Sequence, residues 1–192
     1  MQNYKIILGY IATIISFGSY IPYFISIFKG TTKPHAFSWF IWALLTAIAF
    51  AAQLTDHGGA GTWVTASTAI ACFAVFALAL VKGKRDFSSF DWWALASALL
   101  AVLLWYFTKN PLLSVILVTL IDALGFLPTF RKGYFDPRGE AISLYMFSTL
   151  KYILGIIALE NLTVVTWLFP ASLVLTNGLF VLMVLVRRSQ LK

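Results

Sequence analysis

Most charged residues in this chain fall in short intervals, and between them run uncharged or nearly uncharged hydrophobic stretches that show no period-two alternation. Seven such runs cover residues 6–28, 36–54, 62–81, 92–107, 111–130, 141–159 and 163–186. A helix needs about 20 apolar residues to cross a bilayer, and the runs are near that length. Lipid offers backbone polar groups no partner, so such runs must be helices or strands of a closed barrel, and barrel strands would alternate. Seven transmembrane helices are therefore expected. A soluble helical bundle would need polar outer faces, and stretches such as 94–107 have none. The first run is too long for the apolar core of a cleavable signal, and no small-residue cleavage site follows it, so this helix is expected to stay.

Composition narrows the class further. Hydrophobic residues make up 60% of the chain and charged ones 11%, with a mean hydropathy of +0.87, far from the balance of a soluble domain. The single cysteine, Cys72, excludes an intrachain disulfide and a cysteine-rich metal site. His35 and His57 fall in loops on opposite sides of the membrane and cannot share a metal, so no metal or other cofactor is expected. Of the 14 basic residues, Lys29, Lys33, Lys82, Lys84, Arg85, Arg131, Lys132, Arg138, Arg187, Arg188 and Lys192 fall on one side. Lys5 and Lys109 fall on the other, and Lys151 lies within a span. The positive-inside rule then places the N-terminus outside and the C-terminus in the cytoplasm of a multi-pass cell-membrane protein. The net charge of +7 becomes a topology signal and not a nucleic-acid patch, because the bases are spread along one membrane face. Trp92 and Trp93 at one end of the fourth run, and Trp105 and Tyr106 at the other, fit aromatic belts.

The two halves of the chain repeat. A shift of 105 residues places Ala36 and Ser38 on Ala141 and Ser143, Thr46 on Lys151, Cys72 on Asn177 and Lys82 on Arg187. A shift of 106 places Pro22 on Pro128. Helices 1 to 3 thus match helices 5 to 7, and the lone fourth helix restores the orientation that an odd number of spans would invert. The expected fold is all-α and polytopic. Residues 1–82 form a first three-helix repeat, 83–109 a linker helix and 110–192 a second, parallel repeat. Parallel repeats about an axis along the membrane normal suit a transporter with a midplane pocket between its halves.

The segments SYIPYFISIFKGTTKPHAFSWFIWALL (19–45) and GFLPTFRKGYFDPRGEAISLYMF (125–147) resemble the two PQ-loop repeats of the SWEET and PQ-loop transporter superfamily. The resemblance covers nearly the whole chain as a three-one-three pattern. Where that family's repeat carries Pro-Gln, this chain has Pro22-Tyr23 and Pro128-Thr129. The run TNGL at 176–179 is similar to the Asn-Gly segment of the seventh SWEET helix, and the resemblance implies that Asn177 lines a substrate pocket. Cys72 then stands where the first repeat would carry the matching asparagine.

Three polar residues share one depth whatever the family. Asp122, Lys151 and Asn177 lie near the middles of the fifth, sixth and seventh spans, at about 1.5 Å of rise per residue. A charge at the bilayer centre costs at least about 2.5–3.5 kcal/mol, so it should face the protein interior and find a partner. Asp122 and Lys151 are the expected pair, and their counterparts in the first repeat are the neutral Ser16 and Thr46. Three readings stay open: an ion pair tying helix 5 to helix 6, a proton carrier at Asp122 competing with Lys151, or two charges meeting an amino-acid-like solute. Pro22 and Pro128 remove a backbone hydrogen bond and suit either gating kinks or packing kinks. Trp42, one turn before Thr46, can stack on a sugar ring or fill a helix interface. Ser67 and Thr68 read more readily as helix-helix hydrogen bonds than as ligands. A lysine among seven helices also raises a retinal Schiff base, which the sixth-helix position argues against.

No hydrolase or transferase constellation is present, so enzymatic activity is not expected. The function expected is alternating-access transport of a small polar solute, sugar or amino-acid-like, by a uniporter or proton-coupled carrier. Substrate-binding residues would be Asn177, Cys72, Lys151, Asp122, Thr46 and Trp42, with Asp122 coupling protons and Pro22 and Pro128 gating. The alternative is a non-transporting membrane receptor or scaffold of the same fold. The bilayer and a small-molecule substrate are the expected partners, nucleic acid is not one, and a homo-oligomer stays open.

Overall fold

A computed structural model describes residues 3–83, 89–140 and 142–191. Lys84, Arg85, Ala141 and Lys192, which entered the charge and repeat arguments, lie outside those residues, as do the start of the linker after Gly83 and the side chain of Trp105. The described chain is helical, with no strand: α1 (Asn3–Phe28), α2 (Ala36–Thr55), a 3-10 helix (Gly59–Thr62), α3 (Trp63–Lys82), α4 (Ser89–Thr108), α5 (Pro111–Phe135), α6 (Ile142–Ile157) and α7 (Val164–Gln190).

Local chemistry sets the ends of these helices. The α1 helix stops at Gly30, whose φ of +74° suits the left-handed turn that follows a helix. For α5 the start is Pro111, whose missing N–H costs nothing there, and the Asn110 Oδ1 accepts from the backbone N of Leu112 (3.0 Å) and Leu113 (3.2 Å). The same helix outruns its expected end at 130, because nothing opposes it until Asp136, whose backbone is held out of the helical region by Pro137. Arg131 and Lys132 therefore ride on the helix, not in a loop.

Among the described residues, five helices are long and apolar enough to cross a membrane: α1, α2, α3 with its 3-10 lead-in, α5 and α7. Of the other expected spans, α6 is a shorter apolar helix of 16 residues, and α4 occupies the fourth run. Ile14 is 69% exposed and Val81 82%, while Ser16, Thr65, Thr68, Asp122, Lys151 and Asn177 are buried. Apolar side chains outside and polar ones inside invert the pattern of a soluble bundle and define a membrane protein.

Helix α3 packs between α1 and α2, and α7 between α5 and α6. The largest contacts between the halves are α1 against α6 and α2 against α5, while α4 lies against α5 and α2. The central core is formed by Ile41, Leu45, Ile48, Val64, Val115, Val118, Tyr152 and Phe169.

Candidate functional site

A cavity of about 370 Å³ lies between the halves and is lined by stripes of polar and aromatic residues at helical spacing. On α1 the stripe is Ser19, Tyr20 and Tyr23, and on α2 it is Ser38, Trp39, Trp42 and Thr46. Thr68 and Cys72 come from α3, Asp122 and Phe126 from α5, Tyr145, Ser148, Lys151 and Tyr152 from α6, and Leu173 and Asn177 from α7. All six residues expected to bind substrate from sequence thus meet in one cavity.

Lys151 does not pair with Asp122, and the expected tie between helices 5 and 6 is absent. Its Nζ donates instead to Thr68 Oγ1 (2.9 Å) and Ser16 Oγ (3.1 Å), on α3 and α1. The Tyr20 and Tyr152 rings flank it at 5.0 and 5.1 Å. Thr68 Oγ1 also accepts from the Tyr152 hydroxyl at 3.1 Å. The physical reason is packing: α6 rests on α7 and α1, whereas α5 rests on α7 and α2, so neighbours in sequence are not neighbours in space. Ser16 is the residue that the 106-residue shift aligns with Asp122, so the lysine meets the aspartate's counterpart in the other half.

Asp122 is 6% exposed and lines the same cavity, yet it makes no hydrogen bond or ion pair among the described residues. Asn177 donates to its own helix at Leu173 O (2.7 Å). Cys72 Sγ lies 3.8 Å from the Tyr20 hydroxyl, and Thr46 Oγ1 donates to Trp42 O at 2.7 Å. Trp42 stands edge-on to Trp39 at 5.2 Å between ring centroids, within an aromatic wall that Tyr23 extends. Pro22 and Pro128 lie inside α1 and α5, but both are exposed on the outside of the bundle and neither lines the cavity. Their successors Tyr23 and Thr129 do line it. His35 also lines the cavity, with its Nδ1 3.0 Å from Ser38 Oγ, and His57 lies at the far end of α2.

The cavity extends from mid-helix toward the end that carries Lys29, Lys33, Arg131 and Arg138, because its lining includes His35 and Ser38 at the start of α2 and Thr129 late in α5. The opposite end is sealed. Gln53, fully buried, donates to Thr166 O at 2.8 Å, and Asn161 donates to Asp56 O at 3.1 Å. The Thr163 hydroxyl donates to the Asp56 carboxylate, Glu160 N to Gly58 O (3.0 Å) and Lys5 Nζ to Leu159 O (2.6 Å). Gly61 and Gly9 bring backbones into contact in the same layer, since a Cβ on Gly61 would lie 2.6 Å from Leu159 N and one on Gly9 2.7 Å from Ala60 O.

Sequence reasoning missed Tyr20, Tyr152, Trp39 and Tyr145 as lining residues, and treated Thr68 as packing. Each sits three or four positions from a polar residue already singled out or from another lining residue, so the stripes at 16, 20 and 23, at 39, 42 and 46, and at 145, 148 and 152 are the signal that would find them.

Fold and site together define a helical membrane protein with a cavity lined by aromatic and polar side chains and enclosed by apolar helices. No protein-family model, no curated protein and no solved structure matches the chain.

Proposed function

We propose that the protein is a carrier for a small polar solute and works by alternating access, with the cavity reached from one membrane face at a time. The observation that carries this reading is the asymmetry of the cavity. It is formed by both halves, extends toward the basic end and is closed at the other by hydrogen bonds that cross between the halves. A volume of about 370 Å³ falls in the range of about 300–1,000 Å³ for small-molecule sites.

Seven spans in two parallel units, 1–82 and 110–192, joined by a linker over 83–109, belong to the same proposal, as does kinship with the SWEET and PQ-loop transporters. Packing supports it. Exchanging helices 1, 2 and 3 for 5, 6 and 7 turns the α1–α6 contact into the α5–α2 contact, and α3 and α7 are each the middle helix of their unit. Lys82 lies over the Phe28 ring at 5.0 Å, and at the aligned positions Arg187 lies over Tyr134 at 4.3 Å. By the positive-inside rule the basic end is cytoplasmic, and the conformation described is open inward.

The test is counterflow in sealed liposomes loaded with unlabelled sugars or amino acids. Accumulation of the matching labelled solute, absent from protein-free vesicles, is the expected result. Saturable binding of a solute with no flux in either direction would replace the carrier with a receptor of the same fold. An imposed pH gradient that drives uptake in the native protein, but not in Asp122→Asn, would assign proton coupling to that carboxylate.

A further inference from the structure

The cavity holds one amine, Lys151, and one carboxyl group, Asp122, that are not paired with each other. The Lys151 amine is held by two neutral hydroxyls and two tyrosine rings, and Asp122 has no donor among the described residues. Both are buried where charge is costly, and both face the same space. A solute bearing one carboxylate and one ammonium would satisfy both groups, whereas a neutral polyol would leave the amine and the carboxyl each without a charged partner.

The arrangement above the charges adds a second constraint. Trp42 and Trp39 precede Thr46 on α2, Phe126 follows Asp122 on α5 and Tyr145 precedes Lys151 on α6. On each helix the aromatic residues are about one to two turns, roughly 5–10 Å, closer to the open end. The cavity therefore has a charged floor and an aromatic upper wall. We infer that the solute is a neutral α-amino acid with a large apolar or aromatic side chain, its carboxylate on Lys151, its ammonium on Asp122 and its side chain among the rings. This rests on the carrier reading for transport, but not for binding.

L-Phenylalanine is the probe, with 3-phenylpropionate and 2-phenylethylamine as analogues that each lack one charge and D-glucose as a neutral polyol. Binding is measured by calorimetry on the purified full chain, and flux by counterflow. Phenylalanine should bind, and each analogue should bind about thirtyfold more weakly, the scale of leaving one buried charge unpaired. Asp122→Asn should weaken phenylalanine by a similar factor while 3-phenylpropionate binds no more weakly than to the native protein, which separates loss of the ammonium site from a failure to fold. Lys151→Met, a variant that also removes the strap to α1 and α3, should do the converse with 2-phenylethylamine. Glucose binding and flux without phenylalanine binding would overturn the inference and leave the carrier standing. Phenylalanine binding with no flux would uphold the inference and remove the carrier. An unchanged phenylalanine affinity in Asp122→Asn would overturn the assignment outright.

Discussion

The two ends of the bundle close in different ways. At the sealed end backbone meets backbone: Gly61 lies against Gly155 and Leu159, and Gly9 against Ala60, while the buried Gln53 amide and the exposed Asn161 amide donate to carbonyls across the junction. At the open end rings and long cations meet instead. Tyr23, Trp39 and Trp42 pack edge-on or tilted on one side of the mouth, Phe126 and Tyr145 edge-on at the other, and Lys82 and Arg187 lie over rings at the rim. Backbone contacts tolerate no intrusion, because interiors are close-packed and the atoms concerned cannot rotate away. Side-chain contacts can be rearranged one rotamer at a time. The sealed end is thus held by position, and the open end by adaptable surfaces.

The largest test of that contrast is a pair of glycines. Gly61→Ala should lower stability by about 3 kcal/mol, the upper part of the range for overpacking, because the added carbon meets the backbone of Leu159. Gly125→Ala, late in α5 with nothing within 4 Å, should stabilise by about 0.5–1 kcal/mol, the helix preference of alanine over glycine. Thermal unfolding of both variants in one detergent measures this. Equal shifts in midpoint would show that the backbone approach at Gly61 contributes nothing.

A second test concerns Gln53. Pro170 lies inside α7 and has no N–H, so it leaves the carbonyl of Thr166, four residues earlier, without its helical partner. The buried Gln53 amide donates to that carbonyl at 2.8 Å from α2, so a proline in one half is matched by a donor in the other. Gln53→Leu should cost about 2 kcal/mol, the scale for orphaning a buried acceptor. Pro170→Ala restores the N–H, and in that background the same change should cost far less. Additive effects in the double-mutant cycle would refute the pairing.

Much of this was legible from hydrophobic runs. The limits of α2, α3 and α7 fall within a few residues of the apolar segments, because charge cannot enter lipid and Gly or Pro marks the turns. Depth was legible too, since residues halfway along their spans must share a level, and Asp122, Lys151 and Asn177 do line one cavity. What could not be read was lateral order. The pairing of Asp122 with Lys151 presumed that consecutive helices touch, whereas α6 rests on α1 and leaves α5 to α2. Depth is a property of one span, but neighbourhood depends on how all the spans pack. The Gln53 contact was hidden for the same reason, because a glutamine near the end of an apolar run carries no sign of a proline 117 positions later in the sequence.

The smallest expected effect lies at the rim. Arg187 sits 4.3 Å from the Tyr134 ring centroid and its Nε also donates to Tyr134 O at 3.3 Å, while Lys82 lies 5.0 Å from the Phe28 ring. Both cations remain close to water, where a cation over a ring contributes about 0.5–1 kcal/mol. Arg187→Gln should therefore lower the unfolding midpoint slightly and Lys82→Gln less still, because a point charge over phenylalanine lacks the planar stacking and the carbonyl bond of the arginine. The order matters more than the size. If Arg187→Gln cost as much as Gln53→Leu, the rim would be held as firmly as the seal, and the two ends could no longer be assigned different parts in opening the cavity.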